Sequence, residues 1–292
     1  EYWDNSTATK LWVNGTKVNN VPQSAAFDFP FRYTVRDAAN SGDWSKLENA
    51  SNAPLINSRQ FRQYAVTFVE NHDTQMRSAS EPLDPIKKDT LAANAYLLAM
   101  PGTPCVFYRH WLDHKQAIKA MIEVRRAAGI VNTSVPTIVS REPKQYVVSV
   151  AGTKGTLLCV LGDEVENYAP DATKYVKVLS GQHCAYFLSR STNTLLLDKP
   201  SGEYEAAFTA KVTSVSESEQ TLVYTTDGTL PTAQSSRVPA DGNISITQDA
   251  TLQVGVLSVE GEVSNVVSRI YTIRPFVEHT ATIYVRNENN WN

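Results

Sequence analysis

The apolar positions change period once along the chain. In the first third, short apolar runs rich in β-branched and aromatic residues alternate with stretches of helical period. AAFDFPF (25–31), YAVTFV (64–69) and TPCVFY (103–108) read as strands. Between the last two, Asp84 before Pro85 reads as an N-cap with proline at the first helical position. Ile86, Leu91, Ala95 and Leu98 then recur at roughly helical spacing until Pro101-Gly102 stops them. In HKQAIKAMIEVRRAAG (114–129), Ile118, Met121, Ile122 and Val124 fall broadly on one side and Gly129 ends the helix. Strand, helix, strand, helix with apolar strands predicts an α/β region with a parallel sheet.

Near Asn132 the period becomes two. QYVVSVAG (145–152), GTLLCVLG (155–162), YVKVLSG (175–181) and CAYFLS (184–189) are separated by turn residues at β-sandwich spacing. Lys199-Pro200-Ser201-Gly202 reads as a linker. A second all-β block follows in 204–216, 221–232, 244–258 and 266–273, with Asp227-Gly228 as a hairpin signal. Arg274-Pro275 closes that block, and ATIYVRNENNWN (281–292) begins one more strand. The fold class expected is α/β followed by all-β.

Composition narrows the chemistry. The 292 residues are 42% hydrophobic and 20% charged, with no apolar run long enough for a membrane span. A net charge of −3 and the lack of any Lys/Arg cluster argue against nucleic acid as partner and suit a neutral, polar substrate. Cys105, Cys159 and Cys184 allow at most one disulfide; in their apolar settings they read as small buried hydrophobes. EYWDNS at the start lacks the features of a signal peptide, and without an initiating Met it reads as the start of an excised piece.

Residues just past the carboxyl ends of parallel strands are where an α/β barrel builds its active site. Glu70-Asn71-His72-Asp73 stands there after YAVTFV. Glu1-Tyr2-Trp3-Asp4 offers further carboxylates beside two aromatic rings. Rings that stack on pyranose faces and paired carboxyls that act as acid and nucleophile are the usual equipment for sugars. His110 and His114 lack the spacing and partners of a zinc site, and GxSxG, Walker and GxGxxG motifs are missing.

FVENHDTQ (68–75) resembles the fourth conserved region of the α-amylase family of glycoside hydrolases, whose core is Asn-His-Asp after the seventh barrel strand. EYW (1–3) is similar to the end of that family's fifth strand. SAAFDFPFRYTVRDA (24–38) resembles its sixth strand and helix, and LAANAYLLAMPGTPCVFYRHW (91–111) its seventh helix and eighth strand. The resemblance implies that residues 1–133 are the C-terminal half of a (β/α)8 TIM barrel. It implies an amylase C-terminal β-sandwich over 134–199, a chitobiase C-terminal type of sandwich over 200–275, and the start of a starch-binding module over 276–292.

By the same resemblance Glu1 is the general acid/base and Asp73 the transition-state-stabilising carboxylate. His72 hydrogen-bonds a sugar hydroxyl, Asn71 belongs to the substrate-binding set, and Tyr2 and Trp3 line the acceptor side. His110 and Tyr108 are expected either in the core or packed behind the site. The function implied is retaining hydrolysis of α-1,4-glucosidic bonds in starch and maltooligosaccharides, outside the cell or at its surface. The family's nucleophile, its inserted loop domain and most ligands of its structural calcium lie in segments this sequence does not contain. No metal site or cofactor is therefore assigned, and the 292 residues alone are expected not to turn over starch. The expected partners are an α-glucan and either a complementary N-terminal half-barrel or a second copy meeting the open sheet edges. Alternatives are another specificity of the family, such as a neopullulanase or cyclomaltodextrinase, and a non-catalytic carbohydrate-binding or scaffold role.

Overall fold

The computed structural model describes residues 5–48, 51–75 and 84–278, with positions 280 and 282. Glu1, Tyr2 and Trp3 lie outside the described residues, as does most of 281–292. In chain order the first region holds α1 (Ser6–Gly15), β1 (Lys17–Val18), β2 (Val21–Pro22), β3 (Ala26–Phe27) and α2 (Phe29–Ser41). It continues with β4 (Ala65–Thr67), α3 (Thr90–Ala99), β5 (Thr103–Pro104) and α4 (Tyr108–Ala128). Strands β3, β4 and β5 form a parallel sheet in that order, with Ala26 opposite Ala65 and Val66 opposite Thr103.

These strands are shorter than the apolar runs predict, and local chemistry explains why. Asp28 accepts the Phe31 N–H at 3.3 Å and so starts α2 inside the run AAFDFPF. In TPCVFY, the Cys105 N–H makes a 2.7 Å bond to the Thr67 carbonyl, and the chain then turns into α4 from Tyr108. Cys105 is exposed, against the expectation of a buried thiol, whereas Cys159 and Cys184 are buried.

The helix expected from Asp84 begins only at Thr90. The backbone of 84–87 is instead bonded to side chains. Arg32 donates to the Asp84 carbonyl, Asn40 Nδ2 to the Pro85 carbonyl at 2.9 Å, and the Lys87 N–H to Asn40 Oδ1 at 2.6 Å. A segment whose polar groups are met this way has nothing to gain from a helical turn. At its far end α3 is finished by Arg125 of α4, which donates to the carbonyls of Leu98 (2.9 Å), Met100 (2.5 Å) and Gly102 (3.2 Å). Helix α4 bends at His114, where φ is −131° and ψ 29°, and stops at Gly129 with φ +70°.

The second region is a five-stranded antiparallel sheet: β6 (Val135–Glu142), β7 (Gln145–Ala151), β8 (Thr156–Leu161), β9 (Tyr175–Gly181) and β10 (Cys184–Ser189), in the order β6-β7-β8-β10-β9. Alternation sends its two faces to different cores. Tyr146, Val148, Val150, Leu157, Cys159, Leu161, Cys184, Tyr186 and Leu188 join the core built by the helices. Val147, Leu158, Val160, Ala185 and Phe187 form a separate cluster on the other face with Val165.

The third region contains β11 (Thr194–Leu197), β12 (Gly202–Tyr204), β13 (Phe208–Val215), β14 (Thr221–Thr225), β15 (Ser236–Arg237), β16 (Asn243–Ile246), β17 (Ala250–Leu257) and β18 (Val263–Ile273). Two sheets, β11-β13-β16 and β12-β18-β17-β14-β15, enclose their own core around Leu195, Val212, Ile244, Leu252 and Tyr271. Because β11 pairs with β13, this sheet begins ahead of Lys199-Pro200. Those two residues are packed rather than loose: their carbonyls accept the hydroxyls of Tyr271 and Tyr204, each at 2.7 Å. Asp227-Gly228 does not close a two-residue hairpin. Asp227 Oδ1 accepts from the Thr229 N–H at 3.0 Å inside a longer loop that runs from β14 to β15.

Candidate active site

Asn71, His72 and Asp73 leave the carboxyl end of β4 in a single turn that Asn71 organises. Its Oδ1 accepts the N–H groups of Asp73 (3.0 Å) and Thr74 (3.1 Å), while its own N–H donates to Thr74 Oγ1 at 3.1 Å. This is the reciprocal arrangement of a helix N-cap. It points the next two side chains outward. His72 Nε2 stands 3.4 Å from Asp73 Oδ2, and both side chains are exposed, at 81% and 55%. An imidazole beside a carboxylate, both open to solvent at the end of a parallel strand, can hydrogen-bond a polyol and stabilise positive charge developing on it.

Below the turn the surroundings become dry. Glu70 is buried; Oε1 accepts the Ile86 N–H at 3.1 Å and lies 3.8 Å from Arg32 Nη2, and Oε2 meets His110 Nε2 at 3.3 Å. Arg32 is wholly buried, and burial, with Arg36 nearby, pulls its pKa down while Glu70 opposes the shift. Asp28, next in the wall at the end of β3, is also wholly buried. Burial pushes its pKa up to about 6, against the N–H groups of Leu55, Phe31 and Ile56.

The structure brings Asn71, His72 and Asp73 together, with His110 behind them, and does not describe Glu1, Tyr2 or Trp3. Sequence reasoning missed Arg32, Asn94 and the separate place of Glu70. A signal existed for Arg32: it shares the buried stripe of α2 with Val35 and Ala39, where a charge is out of place. Asn94 lies in a helix buried nearly all round and gives no such sign. Among the described residues no group of three or more His, Cys, Asp and Glu is arranged to hold a metal ion, and no helix is long and apolar enough to cross a membrane.

Comparison with known proteins follows the same lines. Residues 199–268 match the family model of the chitobiase/β-hexosaminidase C-terminal domain. Over 168 residues the chain is 32% identical to the probable α-amylase 2 of Arabidopsis thaliana, covering 56% of this chain and 38% of that protein. Over 147 residues it is 31% identical to the glucan 1,4-α-maltotetraohydrolase of Stutzerimonas stutzeri, covering 48% and 26%. The chain thus spans well under half the length of these two relatives. Among solved structures, the γ-CGTase of an alkalophilic Bacillus clarkii superposes on 92% of this chain and 47% of its own, at TM-score 0.45 and 16% identity. In sequence the chain is thus similar to a C-terminal part of glycoside hydrolases of the α-amylase family, followed by a domain similar to the chitobiase C-terminal type.

Proposed function

We propose that the protein carrying this chain hydrolyses α-1,4-glucosidic bonds in starch and maltooligosaccharides with retention, acting outside the cell or at its surface. The observation that carries this is the Asn71-capped turn, which presents Asp73 beside His72 at the carboxyl end of a parallel strand. In this reading Asp73 stabilises the oxocarbenium-like transition state and His72 binds a sugar hydroxyl. Glu1 protonates the leaving oxygen and later activates water, with Tyr2 and Trp3 on the acceptor side. Acid and nucleophile of a retaining enzyme stand about 5–5.5 Å apart. A general acid of this kind needs its pKa raised by burial and neighbouring carboxylates.

The same reading makes β3–β5 with α2–α4 part of a (β/α)8 barrel whose other strands pair at the open edges of β3 and β5. It makes the single sheet β6–β10 the C-terminal β-domain that follows the barrel. We place the next boundary near Asn193, ahead of β11, because β11 pairs into the third block.

The test is substitution in the full-length protein. Asp73→Asn and Glu1→Gln should each lower kcat by at least about a thousandfold with folding intact, since each removes a group needed chiefly in the transition state. A folded Asp73→Asn protein that degrades starch at a near-normal rate removes the main support for the site.

A further inference from the structure

The turn bearing Asn71, His72 and Asp73 is held from beneath by one buried carboxylate on which several elements converge. Glu70 precedes Asn71 directly and is 6% exposed. Helix α2 reaches it through Arg32, the 84–87 segment through the Ile86 N–H, and α4 through His110. Helix α3 joins one step further back, through Asn94.

The hydrogen-bond pattern also assigns the state of the imidazole. Asn94 Nδ2 donates to the Thr90 carbonyl at 2.8 Å and lies 3.1 Å from His110 Nδ1. An amide NH2 has two hydrogens and no lone pair to offer, so Nδ1 must be the accepting nitrogen. The ring proton then sits on Nε2 and is donated to Glu70 Oε2, 3.3 Å away. His110 is neutral in this arrangement, and the buried charges are the guanidinium of Arg32 and the carboxylate of Glu70.

Such a cluster is a costly way to fill space. Buried charges forfeit hydration, and apolar side chains of similar volume commonly serve stability as well or better. A carboxylate, unlike an apolar side chain, fixes the direction of each partner. Here that direction is imposed one peptide ahead of the proposed catalytic turn.

Resting on the reading of Asp73 as a catalytic carboxylate, we infer that Glu70, His110 and Asn94 are positioning residues for hydrolysis, working through the neutral Nε2–H form of His110. They set the angle at which His72 and Asp73 leave β4, and they touch no substrate. A misplacement of about 1 Å at a reacting group costs on the order of a hundredfold in rate.

The experiment uses the full-length protein, assayed on a maltooligosaccharide well below the lowest melting temperature in the series. His110→Ala should lower kcat about thirtyfold while KM changes less than about threefold, because orientation and not ground-state binding is lost. His110→Gln can accept from Asn94 with its carbonyl and donate to Glu70 with its amide, so it should recover kcat to within about fivefold of wild type. Glu70→Gln is isosteric but keeps a single acceptor oxygen, so its amide NH2 must face either the Nε2–H of His110 or the Ile86 N–H and Arg32. Either way the converging bonds are broken, and it should lose kcat like His110→Ala. If His110→Ala fails to fold, Glu70→Gln carries the same test. Long-range 1H–15N spectra of the wild type should show His110 as the Nε2–H tautomer.

Wild-type kcat in both His110→Ala and Glu70→Gln overturns the proposal. So does a His110→Gln protein as impaired as His110→Ala, or a His110 that is cationic or protonated on Nδ1. Asp73→Asn is run beside them. If it stays active, the reading of the site itself fails; if it is inactive while the His110 and Glu70 variants run at wild-type rates, only the positioning role falls.

Discussion

Asp28 shows how one residue serves a fold and taxes it. Its carboxylate caps α2 by accepting the Phe31 N–H and also accepts the Ile56 N–H, each at 3.3 Å, in a site with no solvent exposure. Burial raises its pKa from 3.8 to about 6 in the folded protein. Between those values the folded state keeps a proton that the unfolded state releases, so stability falls as pH rises from about 4 to about 6. Above that window the ionised group stays buried at a standing cost of about 3 kcal/mol. Asp28→Asn keeps the cap acceptor toward Phe31 but carries no charge. Its stability relative to wild type should improve by roughly 2–3 kcal/mol between pH 4 and pH 7, on top of a constant loss for the Ile56 bond. Urea unfolding at a series of pH values measures this, and a pH-independent difference would show that Asp28 is not the titrating group. Neither the burial nor the shift could be read from FDFP, since the groups facing Asp28 include Leu55 and Ile56, far along the chain.

At the scale of elements, Arg125 does for α3 what a glycine cap does for α4. Helix α3 ends without a left-handed residue: its C-cap, Met100, is extended. The last carbonyls would be orphaned in the core had Arg125 not reached across from α4 to those of Leu98, Met100 and Gly102. A cation at a helix C-terminus also meets the negative end of the helix dipole. Arg125→Leu should therefore destabilise the protein by about 3 kcal/mol or more, through unpaired buried carbonyls rather than lost volume. Arg125→Lys should recover only part, because an ammonium lacks the planar fork that serves three acceptors. Chemical denaturation compares the two, and equal stability of Leu and Arg at this position would refute the argument. Gly129 was a legible helix stop, because a residue at φ +70° after a basic last turn is a local event. The true start of α3 was not legible, because what denies a helix to Asp84-Pro85 lies in Arg32 and Asn40 of another element.

Across the whole molecule, the third β block is fastened to the α/β region instead of trailing from it. Lys119 of α4 donates to the Ser201 carbonyl at 2.6 Å, and Arg269 of β18 pairs with Glu123 of α4 at 2.5 Å. Its aromatic rings are spent internally. Tyr204 stacks on Phe208 at 4.2 Å between centroids, and Tyr271 meets both rings edge-on at 5.8 and 5.1 Å. A sugar-binding face needs rings open to solvent. Residues 194–275 should accordingly bind starch weakly or not at all, and electrophoresis of that segment through amylopectin gels should show no retardation. Clear retardation would reveal a binding face made without these rings. The cross-region ion pair is partly buried, so a Glu123→Gln and Arg269→Gln double-mutant cycle should give a coupling of about 1 kcal/mol.

What the sequence determined by itself was whatever depends on near neighbours. Strands β7 to β10 were legible because period-two alternation decides which face of each is buried; β6 (Val135–Glu142), mostly exposed, gave no such signal, and the pairing of β8 with β10 was not in the pattern. The bonds that shape the turn at Asn71, His72 and Asp73 are equally local, running between residues 71 and 74. Tertiary structure alone decided the parallel strands' length, the exposure of Cys105, the start of the third block at β11 and the cluster beneath the turn. Each depends on groups far apart in sequence meeting in a dry interior. There a carboxylate such as Glu70 is held by an arginine, a histidine and a backbone N–H from three different segments. A linear pattern records which residues prefer to be buried, but a charge that satisfies such a site looks, in the sequence, like any other charge.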